Sequence, residues 1–238
     1  LIALDWTLKF ERAKEKYDYL VQTAIRSEPA RLELIKKLVL LKDVGNISTT
    51  DLAKSDPLRL HTLYQFQRVA VDGSMAEQIR NQLVSEATNW GVPDDLTAAL
   101  GSFVYYAAIG HVRFISDIKS GVRMSDTKLA EVLGVWVYVK DDFTFTDKPG
   151  DRSQYLGHWG SDGVIVMPLN GVAAKSSYIP YVESPVVIGR KTIKGDIYYP
   201  VHNSDFRKWQ VKHNRGGDFV IFTDRRYVPL NPPITMYV

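Results

Sequence analysis

Two stretches of this chain gather the side chains that acid–base and anion-binding chemistry uses. The first is His202-Asn203-Ser204-Asp205-Phe206-Arg207, followed by His213-Asn214-Arg215-Gly216-Gly217-Asp218. An imidazole exchanges a proton near neutral pH, a carboxylate orients it, and a guanidinium holds phosphate or carboxylate. On that pattern His202, Asp205, His213 and Asp218 are the candidate catalytic groups. Arg207 and Arg215 are the candidate anion binders. The double glycine lets backbone approach a ligand closely or take a positive φ. The same residues also suit a purely local role: Asp205 as a helix cap, Gly216-Gly217 as a helix stop, and Asp218 paired with Arg215.

The second stretch runs from Val139-Lys140-Asp141-Asp142-Phe143 to Tyr155-Leu156-Gly157-His158-Trp159. Adjacent carboxylates at the end of a strand repel one another and favour a cation or open solvent. Asp141 is therefore a candidate ligand for a divalent cation such as magnesium, and His158 joins the substrate-binding set. A polar turn ending a buried strand, with His158 and Trp159 pinning a loop, accounts for the same residues. None of the five histidines forms HExxH or another short metal pair. The GxSxG elbow, the phosphate-cradling GxxxxGK[ST] loop and GxGxxG are all missing. Cysteine is absent, which removes disulfides, zinc–thiolate and iron–sulfur sites and thiol nucleophiles together.

The elements that would position these groups change character near Gly101. Before it the pattern is helical. Trp6, Phe10, Ala13, Tyr17, Leu20 and Ala24 recur at spacings of four and three, as do Leu32, Ile35, Leu38, Val39 and Leu41. Ser27 before Glu28-Pro29 reads as a helix restart, and Asp56-Pro57 as another. Ser74 with Glu77 forms a capping-box pair ahead of Ile79, Leu83 and Ala87, with Gly91 as the stop. After Gly101 the residues turn aromatic and β-branched. Val135, Val137 and Val139 alternate with Trp136 and Tyr138, the period of a strand covered on both faces. Further strands are expected at 103–106, 112–119, 164–167, 178–182, 186–188, 196–201 and 218–223. Asn203-Ser204-Asp205 should cap one short helix, with Phe206, Trp209 and His213 on one face. The expected fold is α+β: a helical region over 1–100, then a mostly antiparallel sheet or part-barrel with one short helix over 101–238.

Composition sets the outer limits. With 45% hydrophobic and 24% charged residues, the chain has the make-up of a globular protein, not of a disordered or fibrous one. No apolar run reaches the ~18 residues of a membrane-spanning helix. The charge is unevenly spread: −1 over residues 1–100, +4 over 101–238, and +5 within 190–226 alone. Such a basic strip attracts phosphate, an anionic membrane surface or an acidic protein. Without a recognisable motif or interleaved aromatic residues, nucleic acid is not an expected partner. The chain opens on Leu1, with charges throughout LIALDWTLKFER where a signal peptide needs an apolar core. The expectation is a segment from within a longer polypeptide.

The order of Ala99-Leu100-Gly101-Ser102-Phe103, Val137–Phe145, Tyr155–Trp159, Val201–Arg207 and His213–Phe219 resembles an uncharacterised bacterial domain family that accompanies type VI secretion genes. The resemblance covers about 95 to 225 and implies an effector. The strand leading into an acidic-aromatic turn also resembles, more weakly, colicin M-type bacteriocins, which cleave a lipid-linked peptidoglycan precursor with magnesium. Their motif runs Asp-x-Tyr-Asp and then His-Arg. Asp141 matches its first position, whereas Phe143 and Thr144 replace the tyrosine and second aspartate, and the His-Arg pair is missing. These resemblances imply a secreted antibacterial toxin domain, delivered into target cells and hydrolysing an envelope or phosphate-bearing substrate. An immunity protein or a carrier of the secretion apparatus would be its partner. A non-enzymatic binding or adaptor module of such a system is the alternative. It predicts histidines and aspartates paired internally, together with exposed apolar surface.

Overall fold

The computed structural model describes residues 2–74, 76–77, 80–81, 84, 95–100, 102–119, 122–147, 149–150, 152–161, 163–165, 181–183, 186–188, 191–193 and 197–238. The chain is α+β, with its helices mainly at the start and mostly antiparallel strands after them. Two compact units interleave along the sequence: residues 1–71, 102–141 and 221–238 form one, and 72–101 and 142–220 the other. Among the described residues no helix is long and apolar enough to cross a membrane.

In the first unit, α1 (Leu4–Thr7), α2 (Glu11–Gln22), α3 (Glu28–Val39), α4 (Thr50–Ser55) and α5 (Pro57–Tyr64) precede and flank the strands. The two proline restarts are present. The Ser27 hydroxyl accepts from the Ala30 N–H at 3.4 Å, and the Asp56 carboxylate accepts from the Arg59 N–H at 2.9 Å. The first apolar stripe is split by a turn at Leu8–Phe10, and Ala13, Tyr17, Leu20 and Ala24 are buried as expected. The second stripe is rotated from its expected setting. Ala30, Leu34 and Leu38 face the core, whereas Leu32 and Val39 face out.

The sheet of this unit is built on one long antiparallel pair, β3 (Phe103–Lys119) and β4 (Val122–Phe143). β1 (Ile47–Ser48) and β2 (Gln65–Val71) pair with β3, while β11 (Phe219–Phe222) and β12 (Arg226–Tyr237) pair with β4. β2 lies within a stretch expected to be helical throughout, and β12 is a strand that the sequence reading did not anticipate. Val135, Val137, Tyr138 and Val139 are fully buried, as their two-residue alternation requires of a strand covered on both faces. Ala53, Leu60, Ala108 and Tyr138 form a core cluster here, and burial raises the Tyr138 hydroxyl far above the ordinary phenol range.

The register of β3 against β4 slips on either side of His111, which lies opposite Gly134. A bulge of this kind bends a strand and re-aims its side chains. The ring of Tyr227, from β12, lies across the bend. A methyl group on Gly110 would stand 2.8 Å from the Gly134 carbonyl oxygen and 2.9 Å from Tyr227 Cε2, and one on Gly134 would collide with the Tyr227 hydroxyl.

In the second unit, the Ser74–Glu77 capping box is formed, with the Glu77 N–H donating to Ser74 Oγ at 3.2 Å and the Ser74 N–H to the Glu77 carboxylate at 3.1 Å. The helix it was expected to start, with Ile79, Leu83, Ala87 and Gly91, lies mostly outside the described residues. So do parts of the runs 164–167, 178–182 and 196–201. The described elements are α6 (Asp95–Leu100), β5 (Tyr155–Gly160), β6 (Gly163–Ile165), β7 (Val182–Glu183), β8 (Val186–Ile188), β9 (Lys191–Ile193), β10 (Ile197–His202) and α7 (Asn203–His213). β6, β5, β10 and β7 form an antiparallel sheet in that order.

Replacing Gly134 with alanine should lower unfolding free energy by about 1–3 kcal/mol, because the Tyr227 ring has to move. In a Tyr227→Ala background the same substitution should cost less than about 0.5 kcal/mol, a coupling that a denaturant double-mutant cycle reads directly.

Candidate functional site

The α7 segment uses its polar groups to hold itself in place. His202 precedes the helix, and Asp205 turns back to accept from the His202 backbone N–H at 3.1 Å, with His202 Nδ1 at 3.3 Å. That is a capping arrangement, and it satisfies a donor the helix start would leave open. Asn203 is buried and donates from Nδ2 to Asp147 at 2.8 Å, and the Ser204 N–H donates to Ser153 Oγ at 2.8 Å.

Arg207 is fully engaged. It donates to the Phe145 carbonyl at 3.0 Å, to Gln210 Oε1 at 2.8 Å, to Thr146 Oγ1 at 2.7 Å and to both Asp218 oxygens at 2.6 and 2.9 Å. Asp218 also accepts from the Phe145 N–H at 3.0 Å. That backbone donor, with the Arg207 guanidinium, holds the Asp218 carboxyl below its ordinary value. The partner of Asp218 is thus Arg207, not the expected Arg215. Arg215 is exposed and makes no hydrogen bond or ion pair among the described residues.

These groups do not assemble into one constellation. His202 and Asp205 sit at the start of α7 and His213 at its end, with Arg215 just beyond. Along the helix Asp205 and His213 are eight residues, about 12 Å, apart, and His202 and His213 about 16 Å. The exposed His213 ring tilts against Trp209, with centroids 5.2 Å apart. His158 is fully buried, its Nδ1 bonded to the Tyr155 hydroxyl. Asp141 lies on β4. Among the described residues no three His, Asp or Glu side chains converge on one metal position.

A different constellation does assemble, around the bulge in β3. β1 pairs with β3 so that Ser48 stands opposite His111. Buried Thr49 fixes this junction. Its hydroxyl donates to the Ile109 carbonyl at 2.7 Å, and its N–H to the Gly110 carbonyl at 3.0 Å. Ser48 Oγ then lies 2.8 Å from His111 Nε2, and Thr50 Oγ1 lies 3.3 Å from the same nitrogen. The other ring nitrogen, Nδ1, is 2.8 Å from the Tyr227 hydroxyl that the two glycines admit.

Burial raises Tyr227, so it remains a phenol at neutral pH and can accept a proton donated by Nδ1. In that tautomer Nε2 carries the lone pair and accepts the Ser48 hydroxyl. A hydroxyl, a base and a group that orients the base are the parts of an activated nucleophile. Ser48 is solvent-exposed, so a substrate can reach it. No local sequence signal marks this set, because its members lie 63 and 116 residues apart along the chain.

A second histidine site lies in the same unit. His61 Nδ1 is 3.0 Å from the Tyr138 hydroxyl, and its ring meets Tyr106 edge-on at 4.7 Å. It borders an open cleft of about 340 Å³ that is also lined by Glu33, Gln65, Arg68 and Tyr106.

The Asp218 carboxylate stabilises the fold while it is ionised. Because its pKa is lowered in the folded state, that contribution is full above the ordinary value of 3.8 and is lost as pH falls through the lowered one. The difference in melting temperature between wild type and Asp218→Asn should be widest at neutral pH. It should close as the pH is taken below 3.8 in a calorimetric series.

No curated protein and no solved structure matches the chain. A family model described as a family of unknown function, DUF6402, matches residues 1–238, and the chain belongs to that family.

Proposed function

We propose that this chain is the hydrolytic domain of a secreted antibacterial effector, with Ser48 as nucleophile, His111 as general base and Tyr227 as the residue that orients the base. The observation that carries the chemistry is the continuous relay from Ser48 Oγ to His111 Nε2 and from His111 Nδ1 to Tyr227, with both links at 2.8 Å. His111 removes the Ser48 proton as the oxygen attacks a carbonyl or phosphoryl centre. The same Nε2–H then protonates the leaving group. Water, activated by His111, releases the second product and regenerates Ser48. The effector role and the envelope as target rest on the resemblance drawn from the sequence. A neutral phenol stabilises the imidazolium less than a carboxylate does, so turnover should be slow beside that of a carboxylate-oriented serine hydrolase.

One observation favours the second reading, a binding or adaptor module of a secretion or toxin–immunity system. Leu32, Val39 and Leu40 at α3 and Leu58 and Leu63 of α5 are exposed, and Lys37 Nζ ties the two helices by donating to the Leu63 carbonyl at 2.9 Å. An apolar surface of this kind suits an immunity protein or a carrier.

Expression of the domain in the periplasm and, separately, in the cytoplasm of a sensitive bacterium distinguishes the two. The hydrolase reading expects growth inhibition in one compartment. That inhibition should fall by at least about 10³-fold in Ser48→Ala and in His111→Gln, with melting temperatures unchanged. Inhibition that survives both substitutions assigns the effect to binding. No inhibition in either compartment removes the effector role.

A further inference from the structure

We infer that the outward face of α7 docks on an anionic phospholipid surface. This inference is independent of Ser48 and His111, since it rests on groups of the second unit alone.

The burial of α7 leaves one arc open. Asn203 is buried, and Phe206, Arg207 and Gln210 are half-buried on the same side. At 100° per residue, Lys208 and Lys212 lie within about 40° of each other at the centre of the open arc. Val211 flanks them on one side and Trp209 on the other, each about 60° away. Val211 is 83% exposed and Trp209 45%. Lys212 and Arg215 make no ion pair among the described residues, and Lys208 has only a distant one, 3.7 Å from Asp205. Arg207, the fourth cation, is turned inward onto Asp218 and takes no part.

The exposed Asp205 lies on the same face, about 20° from Lys212. The face thus carries two lysines and one carboxylate in its middle, a third cation just beyond the helix end and apolar side chains at its margins, a net positive surface complementary to lipid headgroups. The lysine and arginine heads meet phosphate, while Val211 and the indole edge enter the boundary with the acyl chains. Trp209 is held for that role. Its ring stacks on Phe206 at 6.0 Å, and Phe206 stacks on Phe145 at 3.9 Å, so the indole is presented from a braced aromatic column. Both neighbours of the Trp209 ring, Phe206 and His213, are already in place beside it. That leaves little of its flat surface for a stacked nucleobase and favours lipid over single-stranded nucleic acid.

The test is co-sedimentation of the whole chain with vesicles of phosphatidylcholine alone and of phosphatidylcholine with about one-third phosphatidylglycerol. Binding should require the anionic lipid and weaken with added salt. Each cation removed should cost about fivefold in partitioning, so Lys208→Gln/Lys212→Gln should lose about 25-fold, with Trp209→Ala adding a loss that persists at high salt. Arg207 is untouched in all of these, and equal melting temperatures check the fold. Equal binding to both vesicles, binding to neither, or unchanged binding by the double variant overturns the inference. So does binding to polyglutamate or to a single-stranded oligonucleotide without binding to anionic vesicles.

Discussion

The long antiparallel pair β3–β4 has to bend, and the way it bends determines what the first unit can do. The bend is set where the register slips around His111, with Gly134 opposite. Side chains at Gly110 and Gly134 would occupy the space into which Tyr227 fits. With both as glycine, the β12 strand lays an aromatic ring across the bulge and brings a phenol to His111. Beside the slip, Thr49 bonds the Ile109 and Gly110 carbonyls through its hydroxyl and its N–H. That anchors β1 and brings Ser48 to the imidazole. The relay thus depends on β1 pairing along β3 and on the space that the two glycines leave for Tyr227 beside the slip.

In the second unit the organising contact is the Arg207–Asp218 pair. The planar guanidinium spans the segment around Phe145 and Thr146, the body of α7 and the turn at Asp218, three pieces that the sequence keeps apart. Bidentate geometry fixes their mutual orientation as well as their distance. Because Arg207 is committed inward, the cations left outward are those at 208, 212 and 215. One residue type therefore serves packing and surface charge according to its place on the helical arc.

Local patterns in the sequence carried through where the physics is local. The alternation of Val135, Val137 and Val139, the Ser74–Glu77 box, the Ser27 and Asp56 caps and the α7 helix depend on neighbours within a few residues, and each is found. β12 was hidden because Pro229, Pro232 and Pro233 break the appearance of a strand. The fold admits them since β12 pairs only with β4 among the described residues, and its register breaks between Pro229 and Ile234. β2 follows α5 directly, with no glycine or proline to announce the change from helix to strand. The histidines and acids of the α7 segment were legible as residues but not as roles. Capping, ion pairing and catalysis draw on the same side chains, and only the three-dimensional partners separate them.

The phenol at Tyr227 has chemical consequences of its own. A carboxylate in its position would lie against the β3–β4 backbone, with the Trp136 ring beside it at 5.2 Å. A neutral hydroxyl is tolerated there, and it can either donate to Nδ1 or accept from it. His111 is thereby held in orientation while both tautomers remain open to it, whereas a carboxylate would hold Nδ1 protonated. The two hydroxyls at Nε2, Ser48 and Thr50, respond in turn: each donates when Nε2 is bare, and each accepts when Nε2 carries the proton. When Nε2 takes the Ser48 proton while Nδ1 is already protonated, the imidazolium that forms is held at Nδ1 by a neutral oxygen and has no counter-charge there. The glycines that admit the Tyr227 ring therefore give His111 a neutral hydrogen-bond partner in place of a counter-ion.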